Sequence, residues 1–471
     1  MDHHPVVIIG AGPAGLTAAY ESVRRGIRPI VLEKADKVGG LARTDRYKGY
    51  CFDIGGHRFF TQVDQVQRLW QEMLGEDFLK VPRLSRIYYR GRFLNYPLDF
   101  FNALSNLGIV ESLLILLSYF KAQLWPYPEE KTFEQWVSNR FGRRLYKTFF
   151  QTYTEKVWGI PCHMIQADWA AQRIRGLSLR AAVSNALFDT NNAKSLINEF
   201  HYPMLGPGLM WQRFQEAVES RGGQIHLHAE VVRLKREGRG IKGITARCGG
   251  EIIEISGEHF ISTMPLSDLI ARLDPPPPAD VVQAARQLTY RAFILVGLIV
   301  DRADLFPDNW IYVHSPEVKA GRVQNFKNWS PAMVPDPQKT SLGMEYFCTE
   351  GDAVWRMSDT ELIELATREL ASLGLAYAAE VEDGAIIRQP KAYPVYDREY
   401  RQHLQVIQRH LATIDNLQTI GRNGMHRYNN QDHSMLTGML AVRNLLGEDH
   451  DLWSANTERS YYEGALVRRS V

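Results

Sequence analysis

Apolar and polar positions repeat with different periods in different parts of this chain. The opening run VVIIG is apolar throughout, as a strand covered on both faces would be. After a glycine turn, LTAAYESV takes up helical spacing. IRPIVLE repeats the buried-strand signature. A helix, VQRLWQEML, and a strand pair, SRIYYRGRFLNYP with RG at its turn, are predicted over 66–95. From about 98 to 200 the period is helical with few strand signals, which predicts an inserted helical layer. Strand alternation returns in GGQIHLHAEVVRLKREGRGIKGITARCGGEIIEISGEHFISTMP, cut by glycine turns. Between 285 and 400, FILVGLIVD, NWIYVHS and SLGMEYFC stand with one helix, DTELIELATRELASLG, predicting a mostly antiparallel sheet. Near the end, SMLTGMLAVRNLLG is helical and stops at Gly447.

The most apolar window, GIVESLLILLSYF at 108–120, is too short to span a bilayer and carries Glu111. It is expected to be a buried helix, with a helix lying on a membrane surface as the alternative. DPPPPAD at 274–280 reads as a rigid connector, because patterned elements resume on both sides.

With 471 residues, 45% hydrophobic and 23% charged, the chain can bury a large core. Its net charge of +2 provides no broad field for nucleic acid, so the arginines are read locally. Cys51, Cys162, Cys248 and Cys348 lie far apart without metal-like spacing, so no metal site is expected. MDHHP precedes the first strand without an apolar signal core, and the expected location is cytoplasmic.

VVIIGAGPAGLTAAYESVRRG carries G-x-G-x-x-G at Gly10, Gly12 and Gly15, between strand and helix, with Pro13 and Ala14 inside the motif. The glycines permit a tight turn and close approach to a pyrophosphate, which the helix N-terminus favours. Glu33, at the end of the second strand, stands where an acid takes ribose hydroxyls, with Lys34 beside it. An acid there argues against a 2′-phosphate and for FAD or NAD. Adjacent glycines in FDIGGHRFF, including Gly56, let backbone come close to a flat ligand, which His57 would face. In GRNGMHRYNNQDHS an amide-rich loop crowds the N-terminus of the last helix, a place to hold something polar or anionic.

EKADKVGGLART, with Gly40, Leu41 and Arg43, resembles the extended FAD fingerprint of glutathione-reductase and amine-oxidase type flavoproteins. GGHRFF, TFEQWVSNRFG, KVWGIP, DWAAQRI, YPMLGPGLMW, FISTMP, NFKNWSP, AYPVY and the NQDHS segment together resemble UDP-galactopyranose mutases, especially the eukaryotic type, within that superfamily. The resemblance implies an α/β protein (α+β overall). Its Rossmann-type FAD domain, of the glutathione-reductase type, would be discontinuous over 1–65, 200–265 and 405–471. A helical insertion would cover 98–199, and an antiparallel-sheet substrate domain 66–97 and 266–404.

The same resemblance adds Val231, Gly421, Arg422, Asn430, Gln431 and Ser434 to the flavin contacts and makes Arg43 a phosphate contact. It places Arg173 and Arg322 at the substrate diphosphate, with Tyr312, Tyr393, Tyr428 and His57 near the reaction. Tyr96, Trp158 and Trp329 are further aromatics, the two tryptophans read as core. The implied activity is a pyranose–furanose interconversion of a diphosphate-activated sugar, in cell-surface glycan assembly. It would proceed through reduced FAD and an adduct of the sugar on flavin N5, with NADH or NADPH as candidate reductant. Asp99 and Thr154 stand where those mutases put amides around uracil, which leaves another nucleotide-sugar, or a lipid-phosphate sugar, open. Peripheral membrane association is compatible with this reading, and the oligomeric state is open. The competing class is an FAD-dependent oxidoreductase of the amine oxidase, protoporphyrinogen oxidase or desaturase type.

Overall fold

The strand Asp2–Ile9 divides its side chains between two cores, and the fold grows from that division. In a computed structural model describing residues 2–96, 108–167 and 199–455, Val6 and Ile8 point into one apolar cluster and Val7 and Ile9 into another. Both faces are therefore covered, which is why the run reads as continuously apolar. Parallel neighbours extend the strand on either side: Ile30–Leu32 and Gln224–His226 one way, Glu251–Ser262 and then Leu417–Thr419 the other. The first half of Glu251–Ser262 instead pairs antiparallel with Gly240–Cys248, which pairs in turn with Ala229–Glu237.

Helices Pro13–Arg24, Gly208–Glu219 and Gln431–Leu445 cover one face, joined by Asp64–Leu74 through Val66, Leu69 and Trp70. Helices Leu266–Arg272, Ala279–Gln287 and Tyr400–Leu411 cover the other. Residues 66–74 and 266–288, grouped above with the antiparallel-sheet domain, have their apolar side chains in the clusters of the first sheet. Leu273–Asp274 even adds a strand to it, beside Leu234 and Lys235. Helical patterns do not say which sheet their apolar face will meet.

The second sheet runs in the order Val381–Pro394, Tyr290–Val300, Thr340–Cys348, Arg322–Asn325, Trp310–Val313, Ser85–Tyr89, Arg92–Asn95. All its pairings are antiparallel except that of Trp310–Val313 with Ser85–Tyr89. Period-two alternation sorts its residues. Ile294, Val296, Ile311, Val323, Met344 and Tyr346 form a core with helix Asp359–Ser372. Phe293, Tyr312, Arg322, Glu345 and Phe347 face the other way. Over that other face lie helix Phe133–Phe141, a π-helical turn at Tyr146–Gln151 and helix Thr152–Trp158.

The apolar window does form a helix, Ile109–Leu124, but the expectation of burial is overturned: only Ser112 and Ile115 are buried. The side that packs is mixed, with Ser112 and Ile115 buried and Leu116 and Tyr119 against the cluster of Phe133, Trp136 and Phe141, while the apolar side faces outward. No helix among the described residues is long and apolar enough to cross a membrane.

Candidate functional site

Two cavities of about 390 and 410 Å³ meet between the sheets. The first runs along the carboxyl ends of the parallel strands. It is lined by Gly10, Gly12, Pro13, Ala14, Glu33, Lys34, Gly40, Leu41, Arg43, His57, Val231, Gly421, Arg422, Asn430, Gln431 and Ser434. Every residue expected to hold the dinucleotide is on this wall except Gly15 and Gly56. Gly15 lies beneath it: a Cβ there would come within 1.9 Å of the Gly10 carbonyl oxygen, so the helix could not pack against its own turn. Gly10 has φ +99°, and a side chain would strike the Thr263 hydroxyl. Gly56 lines the second cavity instead.

The first cavity fits a dinucleotide on this chain's own geometry. Helix Pro13–Arg24 begins at Gly12 with no side-chain cap and no acid in its first turn, leaving its amide groups for an anion. Gly12 itself is unobstructed, with nothing nearer its Cβ position than the Gly40 Cα at 3.8 Å. Glu33 accepts the backbone N–H of Ala11 at 2.8 Å and of Ala35 at 2.9 Å, one on each oxygen. That fixes the carboxylate and leaves a lone pair on each oxygen for ribose hydroxyls. Arg43 is held by Asp45 at 3.1 Å and Gln389 at 2.8 Å.

A second uncapped helix start, at Asn430 before Gln431–Leu445, points at the junction of the two cavities, and the Gln431 side-chain oxygen there is buried without a hydrogen-bond partner. Asp432, in that helix's first turn, is buried. Burial raises its carboxyl to about 7, against the pull of the His433 amide and the Thr61 hydroxyl.

His57, Arg422, Asn430 and Gln431 line both cavities and mark the junction. His57 Nε2–H donates to the Ile54 carbonyl at 2.8 Å. Burial, then the neighbouring Arg422 charge, lowers its pKa to about 4, so it is a neutral imidazole at neutral pH. Arg422 donates to the Asn429 carbonyl at 2.9 Å and lies over the Tyr428 ring at 4.6 Å. Tyr428 stacks on Tyr393, with ring centroids 5.7 Å apart.

The second cavity is lined by Arg58, Arg322, Arg422, Tyr96, Tyr153, Tyr312, Tyr393 and Tyr428, and on its helical side by Phe133, Phe149, Phe150, Thr154 and Trp158. Strand register places Tyr312, Arg322 and Glu345 side by side on three neighbouring strands. Arg322 Nε donates to Glu345 Oε2 at 2.7 Å, and Gln324 holds the other oxygen at 2.7 Å. Burial is the largest single influence on the Arg322 cation and opposes it, but the Glu345 carboxylate together with Tyr153, Tyr312 and Tyr393 outweighs it and raises the pKa. Burial, then the Arg83 charge, lowers Arg58 to about 10, still a cation at neutral pH. Arg58 and Arg83 both lie against the Trp310 ring, at 5.9 and 5.5 Å.

Arg173 lies outside the described residues, as does Asp99. Trp158 and Trp329 are both buried, and Trp329 donates its indole N–H to the Asn309 carbonyl at 2.8 Å. Sequence reasoning did not single out Arg58, Tyr153 or Asp432. Arg58 was signalled by a cation inside the glycine–aromatic run GGHRFF, and Asp432 by an acid in the first turn of the NQDHS helix. Tyr153 carried no signal beyond its helical phase.

A family model described as flavin containing amine oxidoreductase matches residues 13–395. A protein named as a flavin-containing monoamine oxidase, from Mycobacterium tuberculosis, is 26% identical over 293 residues, 59% of this chain and 61% of its own. A 15-cis-phytoene desaturase of Capsicum annuum is 27% identical over 403 residues, 78% of this chain and 64% of its own. The chain thus spans less than two thirds of the length of these curated relatives. The crystal structure of a reduced UDP-galactopyranose mutase superposes with a TM-score of 0.83 at 23% identity, covering 97% of this chain and 98% of that one.

Proposed function

Because the chain belongs to the flavin-containing amine oxidoreductase family, with FAD as the cofactor its first cavity fits, we propose that it is a flavin-dependent mutase of a diphosphate-activated sugar. The observation that carries this reading is the second cavity, where three guanidinium groups and five tyrosines converge beside the junction with the cofactor groove. Such a wall suits a ligand rich in anionic and hydroxyl oxygens. It is a poor host for a protonated amine, which would meet the Arg58 and Arg422 cations while the Glu345 carboxylate is already taken up by Arg322. The overall likeness to a reduced UDP-galactopyranose mutase supports the same choice.

Reduced flavin supplies the electron-rich ring nitrogen that a sugar ring contraction without net redox change requires. The chain's residues do the rest. Arg322 and Arg58 hold the diphosphate through its departure and return, with Glu345 fixing the Arg322 fork in one orientation. Arg173 is proposed as a further diphosphate cation on the resemblance alone. Burial keeps the Tyr393 and Tyr153 hydroxyls protonated, as donors to sugar oxygens. Neutral His57 shapes the junction without adding charge. Phe133, Phe149 and Phe150 exclude water from the opposite wall. A glycan-building role and a nicotinamide reductant belong to this same proposal.

Dithionite-reduced holoprotein is expected to exchange pyranose and furanose forms of a nucleotide-sugar or lipid-phosphate sugar, followed by NMR, while oxidised protein does not. Failure with every such sugar, UDP-galactopyranose included, sinks the reading. The second reading, a net oxidoreductase, is favoured by the amine oxidase and desaturase relatives and by the phenylalanine wall. Rapid anaerobic bleaching of the flavin by an amine or a polyene would establish it instead.

A further inference from the structure

Helix Ile109–Leu124 presents its apolar side to the outside. At 100° per residue, Glu111, Ser112, Ile115, Ser118 and Tyr119 fall on one side, and Ile109, Leu113, Leu117, Phe120 and Leu124 on the other. A helix on a globular protein ordinarily buries the second kind of face. Here the mixed side is the one fastened to the protein, Ile115 buried and Tyr119 packed on an apolar cluster. Arg144 donates to both Glu111 oxygens at 2.7 and 2.6 Å, and its backbone N–H donates to Ser118 Oγ at 3.0 Å. Gln123 donates to the Asn139 carbonyl at 2.8 Å. Gly142 lets the helix come close: a Cβ there would lie 2.7 Å from the Tyr119 backbone nitrogen. The orientation is therefore locked, and Ile109 is left 81% exposed, Leu117 64%, Phe120 60% and Leu124 69%. Nine of the fifteen large hydrophobic side chains exposed among the described residues lie between 109 and 127.

We propose that this helix is a membrane-surface anchor, whose outward face inserts into the interfacial region of a lipid bilayer. The face is a ridge, not a groove. Sixteen residues of helix make a strip about 24 Å long and about 10 Å wide, a footprint of about 250 Å². A stable protein interface buries about 800 Å² on each partner, so a second copy resting on this strip alone would be held weakly. A bilayer takes up the whole ridge at a depth of about 5–10 Å. Lys121 is the one cation on the ridge side, and its stem can lie along the apolar strip while its ammonium reaches the headgroups. Trp125 and Tyr127, both exposed at the helix's C-terminal end, have the amphipathic rings suited to the headgroup level. The inference stands whichever chemistry the second cavity performs.

The test is flotation of the flavin-loaded full chain with vesicles of phosphatidylcholine and phosphatidylglycerol. Wild type is expected to float. Leu117→Glu/Phe120→Glu is expected to remain in the dense fraction, with its flavin content and circular dichroism unchanged; Leu117→Ser/Phe120→Ser, a milder pair, is expected to lose most of the floated fraction. The proposal is overturned if wild type does not float, if the variants float as well as wild type, or if light scattering without lipid shows a dimer that the variants dissolve.

Discussion

Arg322 and Glu345 carry the most weight of any pair in the second cavity, because Glu345 is fully buried and the guanidinium neutralises it. Arg322→Ala would leave that carboxylate without its cation, and the expected cost is about 3–5 kcal/mol in urea unfolding. Arg322→Ala/Glu345→Gln removes both charges and is expected to recover most of the stability while the sugar exchange stays lost. If the double variant regained turnover, Arg322 would be a structural residue only. Asp432 gives a pH signature. Its carboxyl is raised from 3.8 to about 7, so its contribution to stability is present below 3.8 and lost as pH rises through about 7. Asp432→Asn is therefore expected to exceed wild type in stability above pH 7 by about 1 kcal/mol or more, and to show no such advantage at the acid end. Melting curves on both sides of pH 7 check it.

At the scale of elements, two glycines of one turn separate cofactor approach from packing. A Cβ at Gly12 meets nothing closer than 3.8 Å, whereas one at Gly15 meets a backbone oxygen at 1.9 Å. Gly12→Ala is expected to fold with little flavin, and Gly15→Ala to melt at lower temperature as well. Flavin absorbance per chain and thermal unfolding distinguish the two. The strand, turn and helix from Asp2 to Arg24 were legible in sequence because each step has a local cause: an apolar run, glycines, helical spacing. Helix Ile109–Leu124 was legible as a helix and not in its orientation. Which side packs depends on Arg144 and Gly142, further along the chain, and no period within the helix reports on them.

Across the whole molecule, the long-range pairings were the least visible in advance. Both cores formed from segments hundreds of residues apart, and the helices at 64–74 and 266–288 joined the sheet that offered an open face. Most expected dinucleotide residues lie along one groove because several short local motifs carry them, each legible on its own, whereas Glu345 beside Arg322 depends on strand pairing that only the folded sheet defines. That pairing also guards assembly of the sheet. Were Arg322–Asn325 to settle one position out of step, its side chains would trade faces. The guanidinium would then land among Ile311, Met344 and Leu362 with no anion to meet it. The ligand-facing charge thus doubles as a proofreader: a sheet zipped up in the wrong frame is penalised during folding, before any substrate is offered to it.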